Sequence, residues 1–314
     1  MTSTALEDKK AETAIARKYM GKFAVGTLLW AGFVFTAFGT SVYMVLQGSL
    51  PLWAGMGINL VLAVMAYGTH HEANHGNIAG YHRRWRFLEP ILGNLSLALL
   101  GMWGTAYFRW HLAHHGHCND PRRDPDHVMA GSFGALCAKW AAGELLSLLA
   151  PITLMPGIKQ ATNRSLPPAI KELEASFDKL RISQTVALGL LGVAAATGHF
   201  TEAFVLWYVP GKLALLALQI TLVWLPHHPH QSTSRYLNTR VLQFPGSFIF
   251  QQGHDHHLIH HMFPRVPFYH LGTLFRELQP LLDKHGVVVE RGFAAAFAGR
   301  PDHPTEQHTA TAGA

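Results

Sequence analysis

The chain has 314 residues, of which 14% are charged and 49% apolar, with a formal charge of +6. An ordinary soluble domain carries roughly 25% charged residues, and here the apolar residues fall in long blocks, which excludes a typical water-soluble globule. The basic balance does not imply a nucleic-acid partner, because Lys and Arg flank the apolar blocks, where they meet lipid headgroups and set topology.

Residues 1–22 are polar and mixed in charge, and are expected to form a cytoplasmic N-terminal segment rather than a cleavable signal. A membrane domain is expected over 23–295, and a disordered tail over 296–314. About 20 apolar residues span a bilayer as helix. Segments 23–47 and 50–69 meet that length, joined by the turn Gly48-Ser49-Leu50-Pro51. The stretch 131–157 is apolar but broken by Lys139, Glu144, Pro151 and Pro156, whereas 182–198 and 203–225 form a late pair of spans. Lys9, Lys10, Arg17, Lys18 and Lys22 precede the first span, and Lys171, Lys179 and Arg181 precede the late pair, so both flanks should be cytoplasmic.

The expected architecture is therefore all-α and integral to the membrane, with four transmembrane helices, both termini inside and a cytoplasmic helical cap. The segment 88–108 is expected to dip into the membrane or lie at its surface, with Gly93, Gly101 and Gly104 permitting irregular backbone. Full crossing would put the histidines on either side of it in opposite compartments. Lys171 to Arg181 reads as an amphipathic surface helix, and Lys212, a charge inside an apolar span, as a paired lysine beside the kink at Pro210-Gly211. Cys118 and Cys137 form no CxxC pair, which indicates neither a disulfide framework nor a thiolate zinc site.

The anomaly is histidine, with 22 residues against 19 acidic ones. Most fall in four windows: His70-His71-Glu72-Ala73-Asn74-His75, His111-Leu112-Ala113-His114-His115-Gly116-His117, His227-His228-Pro229-His230 and His254-Asp255-His256-His257-Leu258-Ile259-His260-His261. On a helix, positions three and four apart share a face, so HxxxH and HxxHH each offer two or three imidazoles to one metal site. Imidazole suits Fe, Cu, Zn and Ni, and the lack of thiolate motifs argues against copper(I) and iron–sulfur chemistry. Two HxxHH boxes and one HxxxH, each at the cytoplasmic end of apolar spans, form a specific pattern. Buried imidazoles so close together would be costly without metal or hydrogen-bond partners. His82, His127, His199, His270, His285, His303 and His308 read singly as structural or surface residues. His70, His117, His228, His254 and His256 are either outer partners of the site or interfacial residues.

The order HxxxH, HxxHH, a later histidine and HxxHH resembles the membrane fatty acid desaturase and hydroxylase superfamily, over about residues 70–269. It is closer still to the desaturase-like β-carotene hydroxylases. The strings that match are His111 to His115 followed by Asn119-Asp120-Pro121 and Asp124-Pro125-Asp126-His127, then Leu225-Pro226-His227, and His257 to His261 with Pro264, Val266-Pro267 and Tyr269. The resemblance implies two non-haem irons held by His71, His75, His111, His114, His115, His257, His260 and His261, with His227 as a ninth ligand. The chain departs from the pattern at Glu72, where Asp is usual, and at His254-Asp255, where Gln and an amide are expected. Asp255 could be an extra carboxylate ligand or, like Asp120, Asp124 and Asp126, orient ligand rings by accepting imidazole N–H groups. Asp120, Asp124 and Asp126 equally suit turn sequences, and for Asp124 the turn reading is favoured.

The same resemblance implies O2 as co-substrate, a lipid substrate drawn from the bilayer, and location in the inner (cytoplasmic) membrane of a bacterium. An unactivated C–H bond needs an oxidant that no side chain supplies, so metal and O2 perform the hard step. The chain shows no Gly-rich dinucleotide fingerprint and no cysteine cluster, so electrons should come from a ferredoxin-type or similar partner. Arg83, Arg84, Arg86, Arg122 and Arg123 are candidates for its docking or for headgroup contact. Trp103, Tyr107, Phe108 and Trp110 could line the substrate path or form an interfacial belt. Hydroxylation and desaturation share the first hydrogen abstraction, and the motifs do not separate them. Carotenoid-ring hydroxylation is the expectation, and a fatty-acyl desaturase or hydroxylase is the alternative. A histidine-rich membrane metal transporter is the competing class, but it would place ligands within the spans.

Overall fold

Backbone groups surrounded by hydrocarbon must be satisfied within their own segment, which makes the apolar blocks of this chain helices. In the computed structural model, which describes residues 3–104 and 106–297, three helices are long and apolar enough to cross a membrane. They are α2 (Val25–Leu46), α3 (Leu52–Asn74) and α8 (Phe200–His227), with α1 (Ser3–Ala16), α4 (Leu88–Leu99), α5 (Ala106–His117), α6 (Phe133–Ser147) and α7 (Glu174–Ala196) completing the order up to α8. The cap adds α9 (His257–Met262), α10 (Leu271–Lys284) and two short parallel strands, β1 (Val241–Gln243) and β2 (Val289–Arg291), in which Val241 faces Val289.

The outward faces of the long helices are apolar and bare. Leu29 is 71% exposed and Trp53 75%, and Val61, Val186 and Val193 are also exposed. A water-soluble monomer rarely leaves such a belt uncovered, which fits the membrane-crossing length of α2, α3 and α8. The expected fourth span, 182–198, falls in the second half of α7. Its first turns hold Glu174, Asp178, Lys179 and Arg181, which is why α7 as a whole is not among the three apolar helices. The amphipathic surface helix expected over 171–181 is likewise not a separate element. It divides between a short helix, Pro168–Lys171, and the start of α7. There Arg181 is buried against Asp178 and Asn163.

The segment 88–108 breaks in two. A 12-residue α4 is about 18 Å long against roughly 30 Å of hydrocarbon, too short to cross. It ends at a turn in which Gly101 and Gly104 take positive φ, 67° and 87°, the conformation that favours glycine. Inside α8, wide π-type turns at Phe204–Tyr208 and Gln219–Trp224 bracket Pro210 and precede Pro226. Lys212 is paired, its Nζ lying 2.8 Å from Glu144 of α6 and 2.8 Å from Gln184 of α7.

The cap is built on an apolar stripe. Leu271, Leu274, Leu278 and Leu282 of α10 recur at three- and four-residue spacing and are buried against Leu258 and Ile259 of α9 and Ala16 of α1. Asp8 of α1 pairs with Lys284 at 2.7 Å and Lys18 with Glu277 at 2.8 Å. The N-terminal helix therefore packs on the same side of the spans as the last histidine window. The expected tail from 298 onward lies outside the described residues, whereas residues 296 and 297 still belong to the cap, at the end of a short 3-10 turn, Phe293–Ala296.

Because α4 is too short to cross, exposed positions on either side of it share a compartment. In a Cys137→Ser background, an impermeant thiol reagent should label cysteines placed at Arg86 and Arg122 from one face, and a cysteine at Ser49 from the other. Labelling of Arg122→Cys together with Ser49→Cys would contradict the fold.

Candidate metal centre

The first histidine box is positioned by the way α3 ends. Gly76 adopts φ 67°, its N–H donates to Ala73 O at 3.1 Å, and the Asn77 N–H donates to Glu72 O at 3.0 Å. This Schellman closure stops the helix at His75 and leaves His71 and His75 on its last turn. Glu72 accepts from the Phe268 N–H, and the Asn77 amide donates to Pro264 O at 3.1 Å, which ties this terminus to the loop after α9. From Ala66 to Asn74 nearly every α3 residue is buried or nearly so, because the cap closes over the helix end.

Four segments deliver imidazoles to one place. His71, His75, His111, His115 and His260 each offer a nitrogen, all lying within 4.8 Å of one another. His114, Cys118, His227 and His261 form a second such group. His257 belongs with the second, since its Nε2 lies 3.1 Å from those of both His227 and His261. The groups adjoin where the His115 and His261 rings stack at 4.2 Å. All nine histidines singled out from the sequence are thus brought together.

The nitrogens face one another in a way that hydrogen bonding cannot satisfy. His75 Nε2 lies 2.9 Å from His111 Nε2, His111 Nε2 3.1 Å from His115 Nε2, and His115 Nε2 3.1 Å from His260 Nε2. A single imidazole nitrogen either donates one proton or accepts one, so a row of four such nitrogens cannot pair at every contact. Two nitrogens on one metal at about 2.1 Å and roughly 90° lie about 3 Å apart, which is the spacing seen here. The donor set therefore fits cations better than it fits protons. Burial first, and next the neighbouring imidazoles, hold His111, His115, His257, His260 and His261 well below the ordinary imidazole range, in the neutral form that ligates metal.

His114 differs. Desolvation would lower its pKa, but the Asp124 and Asp126 carboxylates outweigh it and raise it. Its Nδ1 donates to Asp124 Oδ1 at 3.0 Å and lies 3.5 Å from Asp126 Oδ2, which leaves Nε2 free for the second group. Asp126 also accepts from the Trp110 indole at 2.6 Å. Asp124 accepts the Asn119 and Asp126 N–H groups as well, so it is both a turn residue and the anchor of His114. The sequence suits both roles and favours the turn. The Asp120 carboxylate accepts only from the Arg122 N–H among the described hydrogen bonds, and its carbonyl from the Arg123 and Asp124 N–H groups, so it is a turn residue. Asp255 holds His256 at 2.9 Å and accepts from Ser247, and it orients none of the nine.

Of the remaining neighbours, Cys118 carries little sequence signal, whereas His254, His70 and His228 stand in the histidine windows. Cys118 Sγ lies 3.3 Å from His227 Nδ1, the ring nitrogen opposite the one facing His257. Burial pushes its thiol up, and its Sγ also offers a donor atom to the second group, beside His114, His227 and His261. His254 packs its ring 4.5 Å from His71, and its Nε2 is buried without a partner, while burial lowers its pKa to about 4. His70 is fully satisfied by Gly93 O and the Asn74 amide, and stands apart from both groups. His228 stacks on Trp224 instead.

Two routes reach the cluster. A cavity of about 460 Å³ beside α4 extends from Arg86 and Arg265 to His75, with Phe108 on its wall. A narrow apolar cavity lies between α3, α4 and α8, and Tyr67 and Tyr107 carry it on to His71 and His111. Of the four aromatics before the second box, only Tyr107 lines this inner route. Trp103 sits in an outer groove and Trp110 is held by Asp126.

The model of the family described as fatty acid desaturase matches residues 47–292. A zeaxanthin 4-ketolase of Chlamydomonas reinhardtii is 28% identical over 212 residues, which is 65% of this chain and 39% of the ketolase. The chain thus spans well under half the length of that relative.

Replacing Asp124 with Asn removes the charge that anchors His114. Metal affinity should fall by about 10- to 100-fold, as for other ligand-orienting carboxylates, with the helical circular-dichroism signal retained. Chelator competition followed by metal analysis measures this, and unchanged affinity would contradict the assignment.

Proposed function

Because the chain belongs to the fatty acid desaturase family, we propose that this oxidoreductase is a membrane di-iron oxidase acting on a C–H bond of a lipid, with carotenoid-ring hydroxylation as its reaction. The observation that carries this is the convergence of nine imidazoles in two adjoining groups. His71, His75, His111, His115 and His260 would hold one iron, and His114, His227, His257 and His261 the other. The irons would supply O2 activation, with hydroxylation balancing as R–H + O2 + two electrons + two protons giving R–OH + H2O.

The protein's own contribution is position and exclusion. Asp124 and Cys118 fix the ring orientations of His114 and His227, and the cap over α3 keeps water from the imidazoles. A lipid reaches the cluster from the bilayer along the apolar cavity, past Leu218, Leu222 and Tyr107. Electrons come from a ferredoxin-type donor on the basic face, where Arg83, Arg84, Arg86, Arg122 and Arg123 are all exposed. Four spans, with α7 as the fourth and the cap in the cytoplasm of a bacterium, agree with the basic residues around α1 and at the start of α7. The ketolase relative, named for a carotenoid, favours a carotenoid over an acyl chain.

Expression in cells that make β-carotene, with parallel profiling of acyl lipids, tests the proposal. New oxygenated carotenoids are the expected result, and His260→Ala should abolish them. New acyl double bonds would move the substrate to fatty acyl chains, and an unaltered lipid and pigment profile would contradict the function.

A further inference from the structure

The cavity beside α4 differs from the inner one in carrying charge. Arg86 and Arg265 stand in its wall, and it shares Pro90 and Asn94 with an outer groove of about 420 Å³ that continues past Ile91 and Leu95 to Trp103. Among the described residues neither arginine makes a salt bridge, and Arg265 is held over the Tyr81 ring at 5.3 Å. Glu89, the one carboxyl in the cavity wall, is turned to the backbone, where it accepts from the Ala79 N–H at 2.8 Å. Burial raises its pKa to about 7 although both arginines lower it, so two cations face one partly ionised acid. The groove, by contrast, is apolar and faces outward. Ile91 is 48% exposed and Leu95 50%, and at four-residue spacing they share a helix face. Trp85 and Phe87 flank Arg86 and are exposed, a mixture suited to the headgroup level of a bilayer. Charge therefore lies where α4 begins, and apolar surface runs along its length of about 18 Å, close to the roughly 15 Å of one hydrocarbon leaflet.

We propose that this cavity and groove hold one phospholipid with an anionic headgroup, its phosphate on Arg86 and Arg265 and an acyl chain along α4 to Trp103. Guanidinium groups suit phosphate because their N–H donors match its oxygens in pairs. A choline headgroup would bring its own cation to the same place, where the arginines repel it. A bare hydrocarbon would fill the groove and leave both arginines without an anion. The site is separate from the inner apolar cavity, and it does not depend on which reaction the protein catalyses.

The test titrates the detergent-purified full chain with phosphatidylglycerol or phosphatidylcholine carrying bromine on the same acyl chain. Bromine quenches only a nearby indole, so the difference in tryptophan quenching between the unaltered protein and Trp103→Phe reports the groove. Phosphatidylglycerol should bind about tenfold more tightly than phosphatidylcholine, because two arginines near the membrane surface each favour an anionic lipid. Arg86→Gln combined with Arg265→Gln should bring the two dissociation constants to within about twofold of each other. Arg83→Gln combined with Arg84→Gln removes the same charge from neighbouring residues outside the cavity wall and should keep most of the preference. Circular dichroism checks that both double variants retain their helices. Equal affinity for the two lipids, an equal loss of preference in both double variants, or quenching that Trp103→Phe does not change would overturn the proposal.

Discussion

The structure depends on imidazole nitrogens held about 3 Å apart where water cannot reach them. Neutral rings so placed leave lone pairs facing lone pairs, and protonated rings would repel one another in a medium that screens poorly. A cation resolves both problems. Much of the surrounding architecture keeps that arrangement in place. The Schellman turn at Gly76 sets His75, the Asp124 carboxylate sets His114, the Cys118 thiol sets His227, and the apolar stripe of α10 presses α9 and its HxxHH box against the ends of the spans.

The bilayer explains why the site lies where it does. Helices α2, α3 and α8 carry apolar belts, and histidines cluster at the same end of α3 and α8. Polar ligands at that end stay out of the hydrocarbon, and a small apolar cavity between α3, α4 and α8 lies beside them. The short α4, closed by Gly101 and Gly104, lets the chain pass from the first histidine box to the second without leaving that side.

Much of this was legible in the residues themselves. The spacings His71/His75, His111/His114/His115 and His257/His260/His261 register on helices, and a helix makes its face readable from sequence. His227 was legible only through resemblance, because the helix ends there and His230, three residues on, lies outside it. What stayed hidden depends on contacts between distant segments. Asp124 looks like a turn former and is one, but its reach to His114 follows from the fold of 118–126. Cys118 meets His227 across more than 100 residues. Asp255 and Asp120 looked like partners of the rings because they are near in sequence, yet their carboxylates point to His256 and to the Arg122 N–H. The late pair of spans was legible as apolar length, but the start of α7 was not, because its charged turns continue the helix instead of ending it.

The most direct measurement is iron analysis together with X-ray absorption on active, purified protein. Two irons per chain, each in a shell dominated by imidazole nitrogen, are the expected result. An active sample free of iron, or one that holds only exchangeable zinc, would contradict the paired-metal centre on which the structural and functional interpretation rests.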